Sequence, residues 1–160
     1  MTFIDASADD VARVEAALGR PVAGRFAVVV RRVSGEVIVI ENEPHMKDGT
    51  PMPTLLWLVD PEIHEAVSRI EGAGGVHRFE ETINADELAE THRDYAQRRE
   101  AATLRHEGPQ PSGGVGGTRV GIKCLHAHLA NHLAGFNDPV GREVASLIDI
   151  PPYVIESVRP

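Results

Sequence analysis

The sequence predicts an α+β fold: a small antiparallel sheet of about three strands packed by helices, with a C-terminal half that is mainly helical. Three observations carry that prediction. Two β-branched runs, GRFAVVVRRV and VIVIEN, are separated only by the turn residues Ser-Gly-Glu. A third short apolar run, TLLWLVD, follows them. The segments on either side place apolar residues at helical spacing, between residues that start and stop helices. No internal repeat is present, and at 160 residues the chain reads as one domain, 1–160, able to bury a core without staples. Aromatics make up only 4% of it, so that core must come from Val, Ile, Leu and Ala.

The elements follow in order. In SADDVARVEAAL (7–18), Val11, Val14 and Leu18 recur at helical spacing, Ser7 is an N-cap, acids fill the first turn and Gly19 is the stop. The hairpin turns across Ser34-Gly35, and HMKDGTPMP forms a loop. TLLWLVD (54–60) is short and almost wholly apolar, as a buried strand is. Asp60 then caps a helix with Pro61 in its first position, Ile63, Val67 and Ile70 as its apolar face and glycines at its end. A long helix runs from about Ala85 to Leu104, opened by the capping-box pair Asn84 and Glu87. A helix carrying cysteine and histidine begins near Gly121, and a short one runs from Val140 to Ile148 before the tail PPYVIESVRP.

Bulk properties exclude several functions. The formal charge of −8 argues against general nucleic-acid binding, which needs a cationic surface. Arg93, Arg98, Arg99 and Arg105 are close in sequence, but Glu90, Asp94 and Glu100 are interspersed as on a solvated helix face. One cysteine cannot form an internal disulfide, no leader-like segment opens the chain, and no apolar run approaches the ~20 residues of a membrane span. The expected location is the cytoplasm. The break in composition at 107–118, EGPQPSGGVGGT, reads as a linker or lid. It lacks the Lys-Ser/Thr ending of a phosphate-binding loop and does not match the dinucleotide fingerprint.

Chemistry concentrates in GIKCLHAHLANHLAGFNDPVG (121–141), which holds the only cysteine and three of the eight histidines. On a helical wheel Ile122, Leu125, Leu129 and Leu133 share the core face. His126 lies at one margin, and Cys124, His128 and His132 lie together on the other side. Residues one turn apart can hold one divalent ion such as zinc. Cys124 and His132, however, are about 12 Å apart along the axis, so all three cannot share an ion. Three readings stand open. One is a metal held by Cys124 with His128, or by His128 with His132, completed by His92, His106, His45 or an acid. Another is a catalytic site with Cys124 as nucleophile, favoured by Lys123 and the helix N-terminus, and His126 or His128 as base. The last is a buried cysteine packing as a small hydrophobe. In the long helix, Leu88, His92, Tyr95, Arg99 and Ala102 follow one face. Arg99 there needs a carboxylate or an anionic ligand, and an anion pocket built from Arg98, Arg99, Lys123 and His126 would follow if the two helices meet.

The run GGVGGTRVGIKCLHAHLANHLAGFNDPVG resembles the C-terminal signature of an actinobacteria-rich family known as domain of unknown function 501. That signature is a glycine pair, Val/Ile-Lys-Cys-Leu-His-Ala, an alanine-rich histidine helix and Asn-x-Pro-x-Gly. GTPMPTLLWLVDP (49–61), SRIEGAGGV (68–76) and the tyrosine-x-x-arginine of DYAQRRE (94–100) resemble it too, so the likeness spans roughly Gly19 to Gly141. One departure is Asp138, standing between Asn137 and Pro139. The resemblance carries over Lys123, Cys124, His126, Tyr95, Arg98, Pro53, Thr54 and Trp57. It also implies gene neighbours for a septum formation initiator and an exopolyphosphatase-like enzyme, a pointer to division or phosphate metabolism. The functional expectation is an enzyme or binding protein for an anionic, phosphorylated small molecule. In it Lys123, Arg98, Arg99, Tyr95 and Thr54 hold substrate, and Cys124, His126 and His128 do the chemistry. The alternative is a non-catalytic interaction module serving cell division, with the acidic surface and the tail as contacts.

Overall fold

The N-terminal helix signals are realised residue by residue. In the computed structural model, which describes residues 4–156, α1 (Ala8–Leu18) is capped by the Ser7 side chain, which accepts the Asp10 N–H. Gly19 closes the helix in the left-handed region at φ 70°, where glycine has no Cβ to clash. β1 (Phe26–Arg32) and β2 (Val37–Asn42) pair antiparallel across the Ser34-Gly35 turn. β3 (Leu56–Leu58) pairs with the far edge of β2.

Two covered faces explain why these strands are continuously apolar instead of alternating. On one face Val14 of α1 packs with Phe26, Val28, Val37, Ile40 and Val59. On the other, Val29, Ile38, Leu56 and Leu58 meet the remaining helices. Those helices are α2 (Pro61–Gly72), α3 (Gly75–Thr82), α4 (Ala85–Ala102), α5 (Leu125–Leu133) and α6 (Pro139–Leu147). α5 lies at the centre of this layer: Leu125, Leu129, Ala130 and Leu133 are all buried in the larger core. Each such leucine contributes about 1.5–3 kcal/mol. Asp60 joins the layers, because its carboxylate caps α2 at the Glu62 and Ile63 N–H groups and also accepts from Nε and Nη2 along one edge of the Arg32 guanidinium.

Three features differ from the sequence expectation. A fourth strand, β4 (Tyr153–Ile155), adds antiparallel to β1, giving the order β3-β2-β1-β4. Part of the tail expected as an exposed contact element is thus a sheet-edge strand whose residues remain exposed, and residues 157–160 lie outside the described residues. α3 forms directly after the glycines that read as a simple stop, because Phe79 is buried in the core and draws the segment in. The 107–118 segment, read as linker or lid, is tied down. His45 Nε2 donates to the Pro109 carbonyl, Arg99 donates to that of Gly113, and the Val115 N–H donates to His92. Val115 opens a 3-10 turn over Val115–Gly117 and is completely buried. Among the described residues no helix is long and apolar enough to cross a membrane.

Candidate functional site

Cys124 is not a helical residue. At φ −147° and ψ 116° it is the extended N-cap of α5, so the wheel that aligned it with His128 and His132 does not apply. The extended backbone turns its side chain toward His126 instead, with Sγ 3.8 Å from His126 Nδ1. Glu71, at the end of α2, reaches the same point. Its Oε1 lies 3.3 Å from His126 Nδ1 and accepts the Leu125 N–H at 2.7 Å, satisfying one of the orphan donors of the first turn of α5. The other imidazole nitrogen, Nε2, is 3.0 Å from both the His64 carbonyl and Ser68 Oγ. A carbonyl only accepts, so Nε2 carries a proton. The His64 ring stacks on His126 with centroids 4.0 Å apart. Burial opposes charge on His126, yet the Cys124 sulfur, the His64 carbonyl and Glu71 outweigh it and hold its pKa above the ordinary imidazole value. Burial and the neighbouring His126 push His64 the other way.

His128 points into the interior. Its side chain and that of Asp138 are 0% exposed, and Nδ1 donates to both carboxylate oxygens at 2.9 Å. Asp138 also accepts from Asn131 Nδ2 and the Gly141 N–H, so it caps α6 and anchors α5 at once. Among the described residues the buried His128 Nε2 has no hydrogen-bond partner, and the ring meets His92 edge to face. A base walled in this way has no access to a substrate, which places the catalytic candidate His128 in the core. His132, one turn on, is half-buried, and burial lowers its pKa. The expected ligand row Cys124, His128, His132 is thus dispersed. The group the structure brings together is Glu71, Cys124 and His126, their ligand atoms within 4.8 Å of one another.

The substrate-binding candidates separate as well. Tyr95 is fully buried, and its hydroxyl accepts the Leu56 N–H, tying α4 to β3; burial pushes its pKa up to about 12. Arg98 bridges Asp94 and Asn131 Oδ1 and lies 3.5 Å over the Phe136 ring, at the far end of α5 from Cys124. Thr54 offers its carbonyl to Asn42, and Lys123 is exposed.

Arg99 behaves differently. Only 3% exposed, its guanidinium donates to the carbonyls of Pro53 and Gly113 and forms no ion pair among the described residues. Burial lowers its pKa. It lines a cleft of about 560 Å³ with Arg93, Arg119, His92, His106 and one carboxylate, Glu100. Arg98, Lys123 and His126, expected in one anion pocket with Arg99, are not among its walls. The cleft and the cysteine cluster touch the same glycine segment. Gly113 and Gly114 wall the cleft, and Gly116 sits against Lys123 and Cys124. A Cβ on Gly114 would collide with the His92 ring, so close approach of backbone to imidazole sets the cleft floor.

Sequence reasoning missed Glu71, His64 and Ser68, all on α2, and Asp138 as a carboxylate partner. The signals were indirect: Ser68 and Glu71 stand in the SRIEGAGGV segment that the family resemblance singled out, and Asp138 stood out as a departure from its pattern.

Fold and site define an α+β domain with a half-buried Cys-His-Glu cluster and an arginine-walled cleft, linked by one glycine-rich segment. The family model described as Protein of unknown function (DUF501) matches residues 28–146, and the chain belongs to that family. No curated protein and no solved structure matches the chain.

Proposed function

We propose that the protein binds an anionic, phosphorylated small molecule in the cleft floored by Arg99. The observation that carries this reading is the buried Arg99 guanidinium, which among the described residues donates only to neutral carbonyls and forms no ion pair, although the exposed Glu100 lines the same cleft. A charge taken out of water costs several kcal/mol unless an opposite charge faces it. Glu100 offers a solvent-screened negative charge without pairing with Arg99, so an anion in the cleft supplies the direct counter-charge, and the exposed Arg93 and Arg119 add planar, multidentate donors for phosphate oxygens. The Lys-Cys-x-His segment contributes by supporting the glycine turn that closes the cleft floor, instead of contacting the anion.

Calorimetric titration with inorganic phosphate and pyrophosphate tests this. The wild-type chain binds, and the Arg93→Ala/Arg119→Ala double variant binds at least about tenfold more weakly, as expected for lost charge-assisted contacts. Both substitutions are at exposed positions, so folding is preserved and checked by circular dichroism. Equal affinity in wild type and double variant, or no binding in either, rejects the cleft as an anion site.

A further inference from the structure

We propose that Glu71, Cys124 and His126 form a binding site for a single divalent transition ion of the zinc class, with a fourth coordination position left open. The site needs none of the anion chemistry assigned to the Arg99 cleft. Its three ligands come from two segments distant in sequence, the end of α2 and the N-cap and first turn of α5.

The spacing fits. A tetrahedral ion with a metal–sulfur bond of about 2.3 Å and metal–nitrogen and metal–oxygen bonds of about 2.0–2.2 Å holds sulfur and nitrogen about 3.6 Å apart, and nitrogen and oxygen about 3.4 Å apart. The observed separations are 3.8 Å for Cys124 Sγ to His126 Nδ1 and 3.3 Å for His126 Nδ1 to Glu71 Oε1. The proton positions fit as well. Because Nε2 donates to the His64 carbonyl, a neutral His126 aims its Nδ1 lone pair at the thiol and the carboxylate. All three donor atoms lie within 4.8 Å of one another, a spacing that one cation can span. The outer contacts are those metal sites use: the second imidazole nitrogen is held by a backbone carbonyl, and the carboxylate is oriented by the Leu125 N–H. A thiolate, an imidazole and a carboxylate together favour zinc over magnesium or calcium. The side chains of His126 and Glu71 are 15% and 29% exposed, so an ion has a path in from solvent.

The test uses the full chain stripped with chelator, in buffer free of phosphate so that its result is separate from the anion measurement. Titration with Co2+ should reach one ion per chain, with a sulfur-to-cobalt charge-transfer band in the near ultraviolet and tetrahedral visible bands. Zn2+ should displace it. Cys124→Ser abolishes the charge-transfer band, Glu71→Gln weakens affinity tenfold or more, and His77→Ala, on an exposed face of α3, changes neither. In the wild-type chain equimolar Zn2+ should protect Cys124 from alkylation, an effect reversed by EDTA, so the test does not depend on any variant folding. Absence of the charge-transfer band and of protection overturns the proposal; the cluster is then a Glu71–imidazolium pair. Wild-type affinity in Glu71→Gln overturns it too.

Discussion

At the scale of single residues, Asp138 governs more than any other side chain in the C-terminal half. One carboxylate accepts from His128, Asn131 and the Gly141 N–H inside a site with no water access. Replacing it with alanine leaves three buried donors unpaired, each costing about 1–3 kcal/mol. Asp138→Ala should therefore lose about 3 kcal/mol or more of unfolding free energy by urea titration. His92 supplies a pH signature. Its Nδ1 accepts the Val115 N–H and its Nε2 donates to the Gly121 carbonyl, so the ring is held neutral, and burial, partly opposed by the Gly121 carbonyl, lowers its pKa. The unfolded state thus binds the proton more readily. His92's contribution is fully present above the ordinary value of about 6.5 and is lost as pH falls below it, with a slope of up to about 1.4 kcal/mol per pH unit. His64 and His132 act in the same direction and His126 in the opposite one. Urea unfolding between about pH 5 and pH 7 should show a slope that is shallower in His92→Asn by up to one proton; an unchanged slope contradicts the assignment.

At the scale of elements, local signals read correctly wherever one segment decides its own state. The caps Ser7, Asp60 and Asn84 and the buried face Leu88, His92, Tyr95, Arg99, Ala102 of α4 were all visible as spacing, and all are realised. α3 and β4 were not visible. Each is short, and each is stabilised by a surface supplied from elsewhere: the core around Phe79 for one, the free edge of β1 for the other. Two stability predictions belong here. Asp60→Ala removes a helix cap and leaves Arg32 without its buried partner, so the loss should be at least about 2 kcal/mol in chemical denaturation. Deleting residues 150–160 removes the backbone bonds Val33 N–H to the Pro152 carbonyl and Glu156 N–H to the Val29 carbonyl, and uncovers β1. That truncation should lower the thermal midpoint and promote self-association, read by light scattering, because an open edge strand is a template for pairing.

At the scale of the whole molecule, a chain of net charge −8 gathers Arg93, Arg99 and Arg119 around one cleft, and a soft-ligand cluster on the far side of the same glycine turn. If both bind as proposed, each ligand stabilises the fold by mass action. Phosphate at 100 times its dissociation constant should add about 2.7 kcal/mol to unfolding free energy, and Zn2+ should add a further, independent increment. Thermal unfolding with each ligand alone and with both measures this directly.

What the sequence by itself determined is the order and kind of most elements, the buried faces of the helices, and the prominence of Lys123-Cys124-Leu125-His126. Spacing and capping chemistry act within a few residues, and a buried face shows in the period of a single helix. Tertiary structure alone decided which acid meets Cys124 and His126, that His128 turns to Asp138 and away from the cysteine, and that the Arg99 guanidinium donates to the carbonyls of Pro53 and Gly113. Those outcomes depend on how far one helix slides and rotates against another. Side-chain volumes across the whole core set that register, and no local pattern reports it.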